Sequence, residues 1–179
     1  SYDWIIRISP QMSEPHIYNG LCRLNAGLSV NKLMNLSQKF ALSGLEFTAG
    51  VPASLGGMIC MNFGCWGQEI ADRVHRVHIL DEKGDAHWLT KADMQFGYRH
   101  SIIQKQNNWI IIEAELKLSP DQTEQIHDRI QENIQERLKK QPLRTPSFGC
   151  IFKNPSPLYA GKIIEDLGYK GMIKNAAGV

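Results

Sequence analysis

GLEFTAGVPASLGGMICMNFGCWGQEI, residues 44–70, sets glycines at 44, 50, 56, 57, 64 and 67 among apolar side chains, with Pro52, Ser54 and Asn62 between them. Bare main chain lets a backbone come close to a flat or charged ligand and leaves its N–H groups free to donate. Local composition alone favours tight turns between strands. Three segments further along shift the balance toward a ligand-lined loop: Gly97-Tyr98-Arg99-His100-Ser101, Lys140-Gln141-Pro142, and Gly149-Cys150-Ile151-Phe152-Lys153-Asn154-Pro155.

The chain has 179 residues, enough for one ordinary domain or two small ones. Hydrophobic residues make up 42% and charged residues 21%, which supports a globular core. The net charge of +2, with both signs mixed along the chain, argues against nucleic acid as a partner, because such a face needs clustered Lys and Arg. No apolar run reaches membrane-spanning length, and no basic-then-apolar signal opens the sequence. A cytoplasmic, monomeric protein is expected.

Cys22, Cys60, Cys65 and Cys150 are irregularly spaced, and the chain is not Cys-dense, so reduced thiols are expected. A metal site built from Cys60, Cys65, His75 and His78 is disfavoured. His75 and His78 fall in a strand-like run, where residues three apart face opposite sides.

Alternation and periodicity place the elements. Strands are expected at Trp4–Ile8, Leu21–Asn25, Val74–Leu80, Ala86–Leu89 and Trp109–Leu118, the last central because of Ile110-Ile111-Ile112. Asp81-Glu82-Lys83-Gly84 turns the hairpin. Ser29 caps a helix with its apolar stripe at Val30, Leu33, Met34, Phe40 and Ala41, ended by Gly44. Ser119-Pro120-Asp121-Gln122 signals a second helix start, with Ser119 as the cap and Pro120 in the first turn. That helix carries Ile126, Ile130, Ile134 and Leu138, and its last turn gathers Arg137, Lys139 and Lys140 where cations suit the helix dipole. Pro142 forbids continuation and marks a domain boundary. The pattern is α+β, with no strand-GxGxxG-helix unit.

The ordered motifs resemble the UDP-N-acetylenolpyruvoylglucosamine reductase family, flavin enzymes that complete UDP-N-acetylmuramic acid for peptidoglycan. The family pattern runs GLEF, G-I-P-G-x-x-G-G, N-x-G-x-x-G-x-E, YR-x-S, K-Q-P and G-S-x-F-K-N-P. The resemblance extends from about Gly20 to the last residue. It implies an FAD-binding domain of the vanillyl-alcohol-oxidase/PCMH type, its second lobe at 1–141, followed by the start of a small α+β substrate-binding domain at 142–179.

The resemblance also implies roles. Gly50, Val51, Pro52, Ala53, Ser54, Gly56 and Gly57 match the loop along the flavin, and Asn62 and Gly64 continue that wall. Backbone amides and a hydroxyl satisfy phosphate oxygens and ring carbonyls without adding bulk. Arg99 matches the residue that stabilises the enolate formed by hydride addition, with Tyr98 beside the substrate; a guanidinium has the fixed donors and permanent charge for this. Cys150 stands where the family has the Ser that protonates the substrate carbon, and a thiol is intrinsically the stronger acid. Lys140 and Asn154 match positions meeting the diphosphate and uridine portions. The implied reaction uses FAD and NADPH to reduce UDP-N-acetylglucosamine enolpyruvate, with no metal.

Family members carry an earlier phosphate loop and a later catalytic Glu, neither of which is found here; Glu113 and Glu165 do not match the latter. A central fragment with weak FAD binding and little turnover is expected. The alternatives are a flavin-binding scaffold without catalysis, or another FAD oxidoreductase of the same fold. The presence of KQP and GCIFKNP beside the flavin-side motifs favours the reductase.

Overall fold

The computed structural model describes residues 5–106, 108–141, 146–147, 149–175 and 177–178. The chain divides into two compact units, residues 1–141 and 142–179.

The first unit is built on an antiparallel sheet of five strands: β1 (His16–Tyr18), β2 (Leu21–Asn25), β6 (Val74–Leu80), β7 (Ala86–Thr90) and β8 (Ile110–Lys117), in the order β1-β2-β8-β6-β7. The apolar strand expected to be central is β8, and it occupies the middle position. Two bulges interrupt the β6–β8 ladder, between Val74 and Arg76 and between His78 and Ile79. A bulge shifts side-chain alternation by one residue. Ile111, Ala114 and Leu116 are thereby buried with Val74, Val77 and Ile79, whereas Glu113 and Glu115 form ion pairs with neighbouring strands.

Three helices supply the rest of the core. Helix α1 (Val30–Lys39) starts at Ser29, whose hydroxyl accepts from the Lys32 amide, and buries Val30, Leu33 and Met34. It stops earlier than the Gly44 signal: Phe40 closes it, Ala41 turns to φ +51°, and Phe40 is 42% exposed. Gly44 serves another contact, since a Cβ there would stand 2.9 Å from Arg73 Nε, which donates to the Gly44 carbonyl.

Within the glycine-rich segment, Leu55–Cys60 forms a short helix, α2, capped by Ser54. Beyond it, β4 (Gly64–Cys65) and β5 (Gln68–Glu69) pair as a small hairpin. The long helix α3 runs from Thr123 to Lys140. Ser119 does not cap it: Ser119–Pro120 forms β9, paired with β3 (Leu42–Ser43), and the helix begins only after Gln122. A Pro in the short edge strand β9 leaves its missing N–H outside any continuing ladder. Ile126 and Ile130 are buried and Ile134 packs on the core, but Leu138 is exposed.

The strand expected at Trp4–Ile8 is not formed over Ile5–Ile8, and Trp4 lies outside the described residues. A strand needs a partner ladder. Here the Ile8 carbonyl instead lies against Gly27, where a Cβ would clash, and Ile5 and Ile6 are exposed.

The second unit contains α4 (Ala160–Asp166) and a hairpin of β10 (Ile173–Lys174) with β11 (Ala177–Gly178). Helix α4 buries no residue. Among the described residues, no helix is long and apolar enough to cross a membrane, and no cluster of His, Cys, Asp and Glu could hold a metal. All four cysteines are free; Cys22 is buried, and burial pushes its thiol up to about 11, while Cys150 is exposed.

On the sheet face opposite the core, Glu113 accepts from Arg23 and lies 2.9 Å from His78 Nδ1, and Glu115 accepts from both Arg76 Nε and Nη2. Trp88 lies under both guanidiniums, with Arg76 at 4.3 Å and Arg23 at 5.2 Å from the ring, and stacks on His78 at 4.6 Å. The hydrogen bonds from Arg23 and Arg76 hold both carboxyls below the ordinary value of 4.5. Groups depressed in the folded state stabilise it above the unfolded pKa and lose that effect as pH falls through the folded pKa. Urea unfolding midpoints should therefore drop below about pH 4.5, and the double variant Glu113→Gln, Glu115→Gln should show a shallower drop over that window than the parent.

Candidate functional site

One face of α3 shapes the glycine-rich loop. Arg129, Asn133 and Arg137 recur every fourth residue and lie along one side of the helix. Arg129 donates to the Glu46 carboxylate at 2.9 Å, Asn133 to the Glu46 carbonyl at 3.0 Å, and Arg137 to the carbonyls of Ala49 at 2.8 Å and Phe47 at 3.1 Å. Burial pushes the Glu46 carboxyl up, but hydrogen bonds from its own amide, the Gly44 amide and Arg129 outweigh this and hold it below its ordinary value. Arg137 is only 6% exposed; it also meets Cys65 Sγ at 3.1 Å and lies 4.6 Å from the Trp66 ring.

The charge-dipole reading of the last turn holds for Lys139 and Lys140, which are exposed and pair with Glu136. It misses Arg137, which is a core residue. The available signal was the Arg129-Asn133-Arg137 stripe beside the isoleucines. Gly50 follows from this grip: its φ is +79°, and a Cβ would stand 3.2 Å from Arg137 Cδ.

Seven of the nine expected cofactor residues line two clefts that share Ser54. The first, about 550 Å³, is bordered by Gly50, Val51, Pro52, Ala53 and Ser54 together with Ser29, Val30 and Asn31 at the start of α1. The second, about 670 Å³, has Ser54, Gly56, Gly57 and Cys60 on one side and Ile8, Ile103, Trp109 and Ile111 on the other. Among the described residues, the amides of Gly50 and Ser54 donate to no protein acceptor. Gly56 is closed against Ala26, where a Cβ would stand 3.0 Å from the Ala26 Cβ. Gly57 differs, since a Cβ there would meet only Ser54 Oγ, at 3.4 Å. Free amide donors next to an apolar wall suit a ligand that combines phosphate or carbonyl oxygens with a flat ring.

Asn62 and Gly64 line neither cleft. The Asn62 side chain is fully buried, donating to Glu69 Oε2 at 2.8 Å and the Gly97 carbonyl at 3.0 Å while accepting from the Ala71 amide. It joins the glycine-rich segment to the turn that carries Arg99. Gly97 and His100 exchange backbone hydrogen bonds of 3.0 Å across that turn, and Arg99 takes φ +52°. Its guanidinium donates to the Gly64 carbonyl at 2.6 Å and lies 5.2 Å from the Tyr98 ring, which is half exposed. Arg99, Tyr98, Asn62 and Gly64 are thus one cluster. Lys140 stands at the far end of α3 on the first unit's surface.

Cys150 and Asn154 belong to the second unit, and both are exposed. Asn154 Oδ1 accepts from the Ala160 amide at 3.0 Å, which covers one orphan donor at the start of α4. The carboxylates of Glu113 and Glu165 are both engaged, the first in the sheet ion pairs and the second with Lys170.

Residues 141–179 match the family model described as the C-terminal domain of UDP-N-acetylenolpyruvoylglucosamine reductase. Relatives of that name include one from Caldanaerobacter subterraneus subsp. tengcongensis, 42% identical over 146 residues, covering 82% of this chain and 48% of the relative. Another, from Alkaliphilus oremlandii, is 37% identical over 175 residues, covering 98% and 57%. The crystal structure of UDP-N-acetylenolpyruvylglucosamine reductase from Thermus caldophilus superposes with a TM-score of 0.74 at 35% identity, covering 84% of this chain and 55% of that one. The chain spans about half the length of the curated relatives it matches. These proteins are reductases by name. Over the matched residues the chain is similar in sequence and fold to the UDP-N-acetylenolpyruvoylglucosamine reductase family.

The close approaches differ in what they tolerate. At Gly64 a Cβ would stand 2.8 Å from the Gln68 carbonyl and 2.9 Å from Glu69 Cγ. Gly64→Ala should cost about 1–3 kcal/mol in urea unfolding, the range for overpacking. Arg137→Met, which strips the donors from two carbonyls, should cost about 1–3 kcal/mol.

Proposed function

We propose that this chain carries the flavin-side and substrate-side elements of a reductase that uses NADPH to reduce UDP-N-acetylglucosamine enolpyruvate to UDP-N-acetylmuramate in peptidoglycan precursor synthesis. The observation that carries the reading is the hydrogen bond from Arg99 to the Gly64 carbonyl, reinforced by Asn62 on the Gly97 carbonyl. The residue expected to meet the developing charge sits on the glycine-rich segment expected to run along the flavin. In the same reading residues 1–141 form the second lobe of an FAD-binding domain of the vanillyl-alcohol-oxidase/PCMH type, and residues 142–179 begin the substrate-binding domain. The protein acts as a cytoplasmic monomer.

FAD would be held along Gly50–Ser54 and Gly56–Gly57, with Asn62 and Gly64 fixing that wall from behind. When bound, FAD would supply hydride-transfer chemistry between NADPH and the methylene carbon of the enolpyruvyl group. Arg99 presents fixed donors to the enolate that results, which lowers its energy without reorganisation. Its tether to the Gly64 carbonyl keeps those donors beside the flavin wall. Cys150, exposed and unpaired with another cysteine, gives its proton to the adjoining carbon. Lys140 serves as a point charge for the diphosphate, Asn154 as a polar contact to the UDP portion, and Tyr98 as a flank to the substrate.

The test is the visible spectrum of the purified chain after FAD is added and the excess removed. A weak retained flavin band is expected, in keeping with a central fragment; a chain that circular dichroism reports as folded and that leaves the spectrum of free FAD unchanged on titration would overturn the cofactor assignment. Gly57→Ala sharpens the result. Ala is the better helix former by about 0.5–1 kcal/mol, and little space is contested there, so its melting temperature should be unchanged or raised. Its flavin retention should nevertheless fall, because the added methyl narrows the second cleft.

A further inference from the structure

Arg99 holds an unfavourable backbone conformation for a residue with a side chain, at φ +52°. Such a state persists only where the surroundings over-determine it. One side chain outside the recognised motif does so. Gln104 Nε2 donates to the Arg99 carbonyl at 3.1 Å and to the Cys60 carbonyl at 2.9 Å, and it rests against Met61 Sδ at 3.3 Å. A primary amide has two hydrogens, one for each carbonyl. The Cys60 carbonyl belongs to the last residue of α2, one of the acceptors a helix end leaves without a partner, and Ser101 Oγ reaches it as well at 2.7 Å.

Gln104 thus ties the turn carrying Arg99 to the end of the helix that begins at the cofactor loop. Arg99 is held at its carbonyl by Gln104 and at its guanidinium by Gly64. Relaxation of its backbone toward negative φ would have to break one of these bonds.

We propose that Gln104 is the positioning residue for Arg99, which keeps the guanidinium on the Gly64 carbonyl and so fixes where its remaining donors point. The catalytic meaning of this rests on the reading of Arg99 as the residue that meets the enolate; the mechanical tie does not.

The test is the rate of rotation about the Arg99 Nε–Cζ bond, measured by NMR exchange on the full chain labelled with ¹⁵N. Gln104→Glu replaces the donor amide with a carboxylate oxygen. Gln104→Met keeps the length and the packing on Met61 without a donor. Gln104→Lys returns a donor of similar reach. Rotation at Arg99 should quicken about tenfold in the Glu and Met variants, the scale of one net hydrogen bond, and return toward the parent rate in the Lys variant. Rotation at Arg137, which grips other carbonyls, should stay the same throughout. An unchanged Arg99 rate in Gln104→Met would overturn the proposal, as would equal acceleration at Arg137, which would mean general loosening. Neither flavin nor substrate is needed. A failure of flavin binding leaves this result readable, and a failure here leaves the flavin result standing.

Discussion

The buried guanidinium of Arg137 is the contact on which the site's geometry depends. It satisfies the carbonyls of Phe47 and Ala49, which the irregular backbone at the start of the glycine-rich loop leaves without regular partners. A buried cation without a carboxylate is tolerable only where several acceptors converge on it. Here two carbonyls, the Cys65 sulfur and the Trp66 ring supply that environment. The consequence is mutual. The loop fixes the arginine, the arginine fixes the loop, and Gly50 exists in the gap that remains for its φ of +79°.

The sheet solves a related problem on its other side. Its inner face packs against α2, with α1 and α3 packed on each other in the same core; its outer face carries two glutamates that are each less than a tenth exposed. Covering carboxylates costs solvation, and the pairs with Arg23 and Arg76 offset it, while Trp88 shields both guanidiniums. The β6–β8 bulges make this possible, because they redirect alternation along β8 so that apolar and acidic residues separate onto different faces.

Between these two fixed bodies runs a chain of short contacts: Asn62 to Gly97, Arg99 to Gly64, Gln104 to Arg99 and Cys60. Each joins a polar side chain to a main-chain carbonyl. Carbonyls fixed in this way hold Arg99 at φ +52°, a left-handed conformation that Ala41, Trp66 and Gln95 also adopt and that persists where the surroundings over-determine it.

The sequence by itself determined the elements whose signals are local. Leu21–Asn25, Val30 at the start of α1, the Val74–Leu80 hairpin and the central β8 follow from periodicity, caps and turn residues that act within a few positions of one another. The motif order likewise pointed to the family. Tertiary structure decided what depended on distant partners. Ser119-Pro120 carried a sound helix start, yet Leu42–Ser43 offered a strand to pair with. Ile5–Ile8 carried a strand-like run and found no partner ladder. Asn62 read as part of a ligand wall, but its amide is spent on Glu69 and Gly97. Arg137 read as a cation suited to a helix end, whereas carbonyls some 90 residues earlier drew it into the core. Spacing along the chain records which face a side chain takes on its own element; it does not record what acceptors another element brings to that face, and for polar groups the acceptors decide.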